Sequence, residues 1–191
     1  MNKGFAERII VALDVSTKNE ALSLVRQLKD TLFFKVGLEL FTAEGPALIQ
    51  SLQNLGKKVF LDLKLHDIPN TVSGAVRMAV KHGVYMTTLH ASGGKEMMAS
   101  AALAAQDEAE KRGVRAPLLL AVTVLTSLKD EQLREIGVLS DTKSQVASLA
   151  GLALRAGIKG VVCSPQEIDL IKDKFGEDLS VVVPGIRPAW A

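Results

Sequence analysis

Asp62, Lys64 and Asp67 place two carboxylates and one ammonium group within six positions, directly after the apolar run Val59-Phe60-Leu61. The apolar run predicts a buried strand, and because side chains alternate between the faces of a strand, Asp62 and Lys64 are expected on the same face. Asp67 follows where the strand should end, just before the turn signal Ile68-Pro69-Asn70. Buried charges are unfavourable unless they are paired, so this spacing predicts chemistry rather than packing alone.

The composition predicts one sizeable domain and excludes several classes of protein. The chain has 191 residues, a formal net charge of +2, 48% hydrophobic and 4% aromatic residues, which suits helices packed on a buried sheet. Because no Lys/Arg tract stands out, neither nucleic acid nor an anionic membrane is an expected partner. No signal peptide and no run of about 20 apolar residues is found, so we expect a soluble, cytoplasmic protein.

The single cysteine, Cys163, excludes both an intrachain disulfide framework and a CxxC metal site. It lies in the short apolar run Gly160-Val-Val-Cys-Ser164. We therefore expect a buried and unreactive thiol.

Short apolar runs alternate with amphipathic stretches along the whole chain, a pattern typical of repeated βα units. The predicted strands are 8–14, 33–38, 58–64, 86–90, 118–125, 160–164 and 180–184. The predicted helices are 17–29, 43–55, 70–82, 94–111, 142–155 and 165–175. A closed (β/α)8 barrel and an open doubly wound sheet both give this alternation.

Polar residues near the carboxyl ends of many strands favour the barrel, in which all those ends surround one opening. No GxGxxG motif follows the first strand, which weakens the dinucleotide-binding alternative. The fold expected is α/β, a TIM-type (β/α)8 barrel in one domain over residues 1–191 that lacks its eighth βα unit. The polar residues are Asp14, Lys35, Asp62, Lys64, His90, Thr123, Thr126 and Ser127.

The ten residues 62–71, Asp-Leu-Lys-Leu-His-Asp-Ile-Pro-Asn-Thr, closely resemble the signature of the orotidine 5'-phosphate decarboxylase family, in its bacterial type. The resemblance implies a (β/α)8 barrel that converts orotidine 5'-phosphate to uridine 5'-phosphate in pyrimidine biosynthesis without metal or organic cofactor. It also implies a homodimer with active sites shared across the subunit interface. Further matching segments occur in family order: Ala12-Leu-Asp14, Phe34-Lys-Val-Gly37, Leu125-Thr-Ser127 and Pro184-Gly-Ile-Arg-Pro188.

The resemblance implies that Lys64 donates the proton to C6 of the pyrimidine. Lys35, Asp62 and Lys64 would form an array of alternating charge, completed by Asp67 from the partner subunit. A carbanion at a vinylic carbon has little resonance stabilisation, so preorganised charge must stabilise it. The two aspartates would favour the charged, proton-donating form of Lys64.

The resemblance also implies contacts with the rest of the substrate. Ile68 and Thr71 would reach across into the partner's site, and Asp14 and Lys35 would hold ribose hydroxyls. The other implied contacts are those of Thr126 and Ser127 with the substrate, Pro184 beside the pyrimidine pocket and Arg187 at the phosphate. The family's later Gln and Gly-Arg phosphate contacts should follow residue 191, so we expect the natural protein to continue.

Two other functions are compatible with these residues. A 3-keto-gulonate-phosphate decarboxylase or hexulose-phosphate synthase also carries an Asp-x-Lys-x-x-Asp element but uses magnesium, and Lys35 opposes a metal there. A non-catalytic module that binds a phosphorylated ligand would have nucleotide affinity without release of carbon dioxide. His66 and His90 are interpreted as structural histidines.

Overall fold

The computed structural model describes residues 7–186, and in this part of the chain seven strands alternate with helices. The strands form one sheet in which each strand lies beside the next in sequence, in the order β1-β2-β3-β4-β5-β6-β7. The strands are β1 (Ile10–Ala12), β2 (Phe33–Gly37), β3 (Lys58–Leu65), β4 (Met86–His90), β5 (Leu118–Val122), β6 (Gly160–Val162) and β7 (Ser180–Val182).

Helices separate all of these strands, as the sequence pattern predicts. They are α1 (Lys18–Gln27), α2 (Leu38–Glu44), α3 (Pro46–Gln53), α4 (Pro69–Lys81), α5 (Gly94–Arg112), α6 (Asp130–Glu135), α7 (Thr142–Arg155) and α8 (Ile168–Phe175). Among the residues described, no helix is both long enough and apolar enough to span a membrane.

Two helices differ from the sequence prediction. Helix α2 was not predicted, since the predicted helix 43–55 covers α3 and only the last two residues of α2. The two helices are separate because Gly45 takes a positive φ of 63° and Pro46 begins α3. Helix α6 was not predicted at all; it has six residues, too few to give a clear periodic pattern. Its first residue, Asp130, is linked to the start of α7 because Asp130 Oδ1 accepts a hydrogen bond from the Thr142 backbone at 2.9 Å.

Contacts between Cα atoms divide the chain into two compact units. The first consists of residues 7–63, Ala75–Thr87 and Ala105–Pro117. Its parallel strands β1, β2 and β3 place Ala12 beside Lys35 and Gly37 beside Asp62. Below them lies an apolar core in which Phe34, Leu48 and Leu52 are fully buried, and this core fixes the strands that carry the charged residues.

The second unit consists of Lys64–Gly74, Thr88–Ala104 and 118–186. Its strands β5, β6 and β7 are parallel, with Val122 beside Val162 and Val162 beside Val182. Asp141 caps the start of helix α7, since its side chain accepts a hydrogen bond from the Ser144 backbone at 2.8 Å. Strands of a parallel sheet are buried on both faces, which explains why they appear in the sequence as continuous hydrophobic runs.

Candidate functional site

Three charged side chains meet at the carboxyl ends of β1, β2 and β3. The Lys35 ammonium lies 3.2 Å from Asp14 Oδ1 and 3.8 Å from Asp62 Oδ2. The side chain of Asp62 is 12% exposed and that of Lys35 21%, whereas Asp14 is 75% exposed. The Lys35 ammonium therefore stabilises the buried carboxylate of Asp62 and also contacts the solvent-exposed carboxylate of Asp14.

The register of the strands explains why these groups meet. Lys35 lies beside Ala12, and the chain of β1 continues for two residues to Asp14. On the other side Asp62 lies beside Gly37, two residues after Lys35 on the same face of β2. Gly37 is part of the arrangement, since a Cβ atom there would come within 3.2 Å of Lys35 Nζ. The importance of this glycine was missed in the sequence, where it appears only as part of a matching segment.

Lys64 lies on β3, is partly buried and has an unusual backbone conformation. Its φ of 50° is the one positive value among the non-glycine residues described. An L-residue in the left-handed region is disfavoured by roughly 1–2 kcal/mol, and such residues are concentrated at functional sites. The alternation rule that predicts a shared face for Asp62 and Lys64 assumes extended backbone, so the shared face of these two side chains stays a prediction. No feature of the sequence predicts the positive φ of Lys64.

The backbone N–H of Lys64 donates a hydrogen bond to Thr88 Oγ1 at 2.8 Å. Thr88 lies on β4 and is completely buried. It was not among the site residues predicted from the sequence, because a threonine inside an apolar strand is typical of ordinary β structure.

Asp67, Ile68 and Thr71 are all exposed on this chain. Asp67 Oδ1 accepts a hydrogen bond from the Ile68 backbone at 2.6 Å, and 66% of Ile68 is accessible to solvent. Thr71 lies in the first turn of α4. A single exposed apolar residue is ordinary on a protein surface, so the contribution of this segment to a partner subunit stays a prediction.

The remaining predicted contacts lie in the second unit or outside the described part of the chain. Thr126 and Ser127 are exposed in the turn after β5, and Pro184 is exposed after β7. Gly185 has a φ of 73°, which a non-glycine residue would rarely adopt. Arg187 lies outside the described residues, so its predicted phosphate contact stays a prediction.

The rings of His66 and His90 lie against each other in a tilted arrangement, with centroids 5.2 Å apart and planes inclined by 34°. His66 is exposed and His90 is partly buried. The structural role expected for both histidines stays a prediction.

Two further groups bear on the chemistry of the chain. Cys163 is buried, as predicted, and burial raises the pKa of its thiol to about 11, with the carboxylate of Glu167 adding to the effect. Within residues 7–186, no cluster of three or more His, Cys, Asp or Glu side chains is arranged to hold a metal ion.

Comparison with known proteins gives a consistent set of relatives. The family described as "Orotidine 5'-phosphate decarboxylase / HUMPS family" matches residues 7–191. A protein of Carboxydothermus hydrogenoformans named orotidine 5'-phosphate decarboxylase is 53% identical over 95% of this chain and 76% of its own length. One of the same name from Haemophilus ducreyi is 50% identical over 95% of the chain and 78% of its own length.

Solved structures agree with these relatives. The crystal structure of orotidine 5'-phosphate decarboxylase from Lactobacillus acidophilus has a TM-score of 0.88 and 42% identity, covering 95% of this chain and 82% of that one. The enzyme of Methanocaldococcus jannaschii, solved in complex with the inhibitor BMP, has a TM-score of 0.75 and 24% identity over 94% of this chain and 78% of that one; it shows likeness of fold. A TIM-type α/β fold is therefore confirmed, whereas the absence of an eighth βα unit stays a prediction. On the evidence of sequence and fold together, the chain belongs to the orotidine 5'-phosphate decarboxylase / HUMPS family.

Proposed function

We propose that this chain is a carboxy-lyase that converts orotidine 5'-phosphate to uridine 5'-phosphate in pyrimidine biosynthesis. The observation that carries the proposal is the Lys35 ammonium between the carboxylates of Asp14 and Asp62, at the ends of three parallel strands. Family membership supports the reaction, since relatives about 50% identical bear the name of this decarboxylase. The enzyme is proposed to act as a cytoplasmic homodimer without metal or organic cofactor.

The proposed reaction breaks the bond between C6 of the pyrimidine and its carboxylate carbon, and carbon dioxide leaves. The electron pair of that bond stays on C6, where the Lys64 ammonium stabilises it and then donates a proton to it. Asp62 is proposed to lie near the departing carboxylate, where their repulsion is relieved as carbon dioxide leaves. Asp67 of the partner subunit completes the charge array with Lys35.

The other proposed contacts bind the parts of the substrate that do not react. Asp14 and Lys35 hold ribose hydroxyls, and Ile68 and Thr71 extend into the partner's site. Binding energy from the remote phosphate drives loop closure and the exclusion of water. Contacts to the pyrimidine and phosphate come from Thr126, Ser127, Pro184 and Arg187.

The test of the reaction is decarboxylation of orotidine 5'-phosphate by the wild type and by Lys64→Ala. We expect turnover to fall by at least about a thousandfold in the variant, because it loses both the proton donor and the positive charge. Lys58→Ala, at the opposite end of the same strand, is the matched control and should stay active. Near-normal turnover by Lys64→Ala would refute the proton-donor role.

A chelator distinguishes this reaction from the magnesium-dependent chemistry proposed for the other enzymes of the superfamily. Lys35 favours the cofactor-free reaction, because an ammonium rather than a metal ligand lies between the two carboxylates. Turnover should survive excess chelator. Strict dependence on added magnesium would reject the proposed reaction class.

The shared site is tested by mixing two inactive variants, Lys64→Ala and Asp67→Ala. A mixed dimer has one site that lacks both groups and one in which both are intact, so recovery up to about a quarter of wild-type activity is expected after subunit exchange. Absence of recovery, with mixed dimers demonstrated by native mass spectrometry, would contradict a site shared between subunits.

A further inference from the structure

The backbone of Lys64 is held by a side chain of the next strand. The Lys64 N–H donates to the hydroxyl oxygen of Thr88 across 2.8 Å, and Thr88 is 0% exposed. In a regular strand a backbone N–H bonds to a carbonyl of the neighbouring strand. Here a side-chain oxygen takes that place, at the one non-glycine residue with positive φ in the described chain.

This hydrogen bond fixes a conformation that the lysine would not adopt by itself. Left-handed backbone brings the Cβ of an L-residue too close to its own carbonyl, so surrounding contacts must maintain it. Threonine suits this task because its branched side chain has few χ1 rotamers, which keeps the hydroxyl oxygen in one place. The direction of the Cα–Cβ bond of Lys64 depends on φ, so a contact that maintains φ also limits where the ammonium can reach.

We propose that Thr88 is a positioning residue for decarboxylation, whose hydroxyl holds the left-handed backbone of Lys64 and thereby places its ammonium at the reacting carbon. This inference rests on the proposed function, in which Lys64 is the proton donor. Thr88 acts through Lys64 and does not itself need to touch the substrate.

The chain contains a matched control at the preceding position. Thr87 is also on β4 and also 0% exposed, but among the residues described its hydroxyl has no hydrogen-bond partner. Thr87→Val and Thr88→Val therefore make the same chemical change in adjacent buried positions. Thr88→Val removes the oxygen that accepts the hydrogen bond from Lys64. Thr87→Val removes a hydroxyl that has no hydrogen-bond partner among the residues described.

The experiment measures kcat and KM for orotidine 5'-phosphate in Thr88→Val, Thr88→Ser and Thr87→Val. We expect kcat of Thr88→Val to fall by about tenfold to a hundredfold, because small misplacements of a reacting group have effects of this size. KM should change by less than about threefold, since what is weakened is the interaction of the Lys64 ammonium with the transition state and not the binding of the substrate. Thr88→Ser retains the oxygen and should keep kcat within about threefold of wild type, as should Thr87→Val.

Thermal unfolding and uridine 5'-phosphate binding establish that each variant is folded at the assay temperature. If Thr88→Val is too unstable to assay, Thr88→Ala takes its place, again compared with Thr88→Ser. The proposal is overturned if the variant without the oxygen keeps wild-type kcat, if Thr88→Ser is equally slow, or if Thr87→Val loses as much.

A double variant separates this inference from the proposed function. Because Thr88 acts through Lys64, adding Thr88→Val to Lys64→Ala should change the residual turnover by less than about twofold. If Lys64→Ala remains active, the proposed function fails. If Lys64→Ala is inactive while Thr88→Val and Thr87→Val are both normal, the positioning role alone fails.

Discussion

The two ends of strands β2 and β3 each carry a lysine, but the lysines have different surroundings. At the carboxyl ends, Lys35 lies between the carboxylates of Asp14 and Asp62. At the amino ends, the Lys58 ammonium lies 4.5 Å from the ring centroid of Tyr85 and 5.2 Å from that of Phe33. One ammonium is held by opposite charges and the other by aromatic rings.

Tyr85 receives a second cation on its ring. The guanidinium carbon of Arg115 lies 4.6 Å from the ring centroid, and Arg115 Nη1 lies 2.9 Å from the phenol oxygen, to which it donates. The ring also packs edge-on against Phe33, with centroids 5.0 Å apart. Aromatic partners of this kind contribute stability, whereas carboxylates around a lysine create a preorganised field in which new charge can be stabilised. In parallel α/β folds of the TIM type, function lies at the carboxyl ends and stability at the amino ends.

Apart from that of Lys64→Ala, the largest effect on activity should come from Lys35→Ala, with Lys58→Ala as its counterpart at the amino ends of the strands. We expect Lys35→Ala to lower kcat/KM for orotidine 5'-phosphate by at least about a hundredfold, because it removes one charge of the array. Lys58→Ala should keep kcat/KM within about threefold but lower Tm by about 2–6 °C, since it loses cation–π contacts of about 0.5–1 kcal/mol each. Steady-state kinetics and thermal unfolding of both variants measure the two effects.

The reverse result would break the comparison between the strand ends. If Lys58→Ala is the less active variant while Lys35→Ala loses only stability, the carboxyl ends of β1–β3 are not the site of the reaction. Equal losses of activity in Lys35→Ala and Lys58→Ala would also contradict a difference in function between the two ends of the strands.

Much of this fold could be predicted because the periodic patterns are local. Strand β4 (Met86–His90) and helix α7 (Thr142–Arg155) have the predicted bounds, and the ends of α7 are marked by the capping residue Asp141 and by Gly157. The charged residues of the first unit were also predictable, because Lys35 and Asp62 interrupt apolar strands and have few structural explanations. The contact between Lys35 and Asp62 could not be predicted without the strand register, which places Gly37 beside Asp62. That register depends on contacts between residues distant in sequence.

Other features could not be read from the sequence for physical reasons. The positive φ of Lys64 is imposed by its surroundings, including the hydroxyl of Thr88, and lysine itself does not favour it. The break at Gly45 was overlooked because the leucines whose spacing predicted the helix, Leu48, Leu52 and Leu55, all lie after it. The roles of Gly37 and Thr88 depend on distances across strands, for which residue type alone is no guide.

A smaller effect is expected for Gly37→Ala, which tests how far activity depends on the position of the Lys35 ammonium at the carboxyl end of β2. The new Cβ would lie 3.2 Å from Lys35 Nζ, so the flexible ammonium must move by a few tenths of an ångström. We expect kcat/KM to fall by about tenfold with little change in Tm, because the group that yields is the end of a side chain. Gly74→Ala in α4 is the control; a Cβ there meets nothing within 4 Å, so activity should stay normal and stability rise slightly. Equal kinetics in the two variants would mean that the position of the Lys35 ammonium is not critical.

The smallest effect on activity is expected at Cys163, which follows strand β6 and tests whether a place at a carboxyl end is sufficient for function. Burial, with a further contribution from Glu167, raises the pKa of the thiol from 9.0 to about 11, so at pH 8 the native thiol is protonated. Modification by a thiol-specific disulfide reagent should therefore be about two orders of magnitude slower in the native protein than in urea. Cys163→Ala should retain wild-type decarboxylation.

The raised pKa of Cys163 also predicts the direction of a pH effect on stability. The folded state holds the thiol proton more tightly than the unfolded state, so this contribution is fully present below about pH 9 and is lost as the pH rises towards 11. The free energy of unfolding of the wild type should therefore fall relative to that of Cys163→Ala between pH 8 and pH 10.5, as measured by urea titration. A constant difference across this range would show that burial does not raise the pKa of this thiol, and rapid modification of the native thiol at pH 8 would show an accessible, reactive cysteine. Cys163 would then have to be counted with Lys35 and Asp62 among the reactive groups at the strand ends, and burial could no longer be used to separate functional from structural residues there.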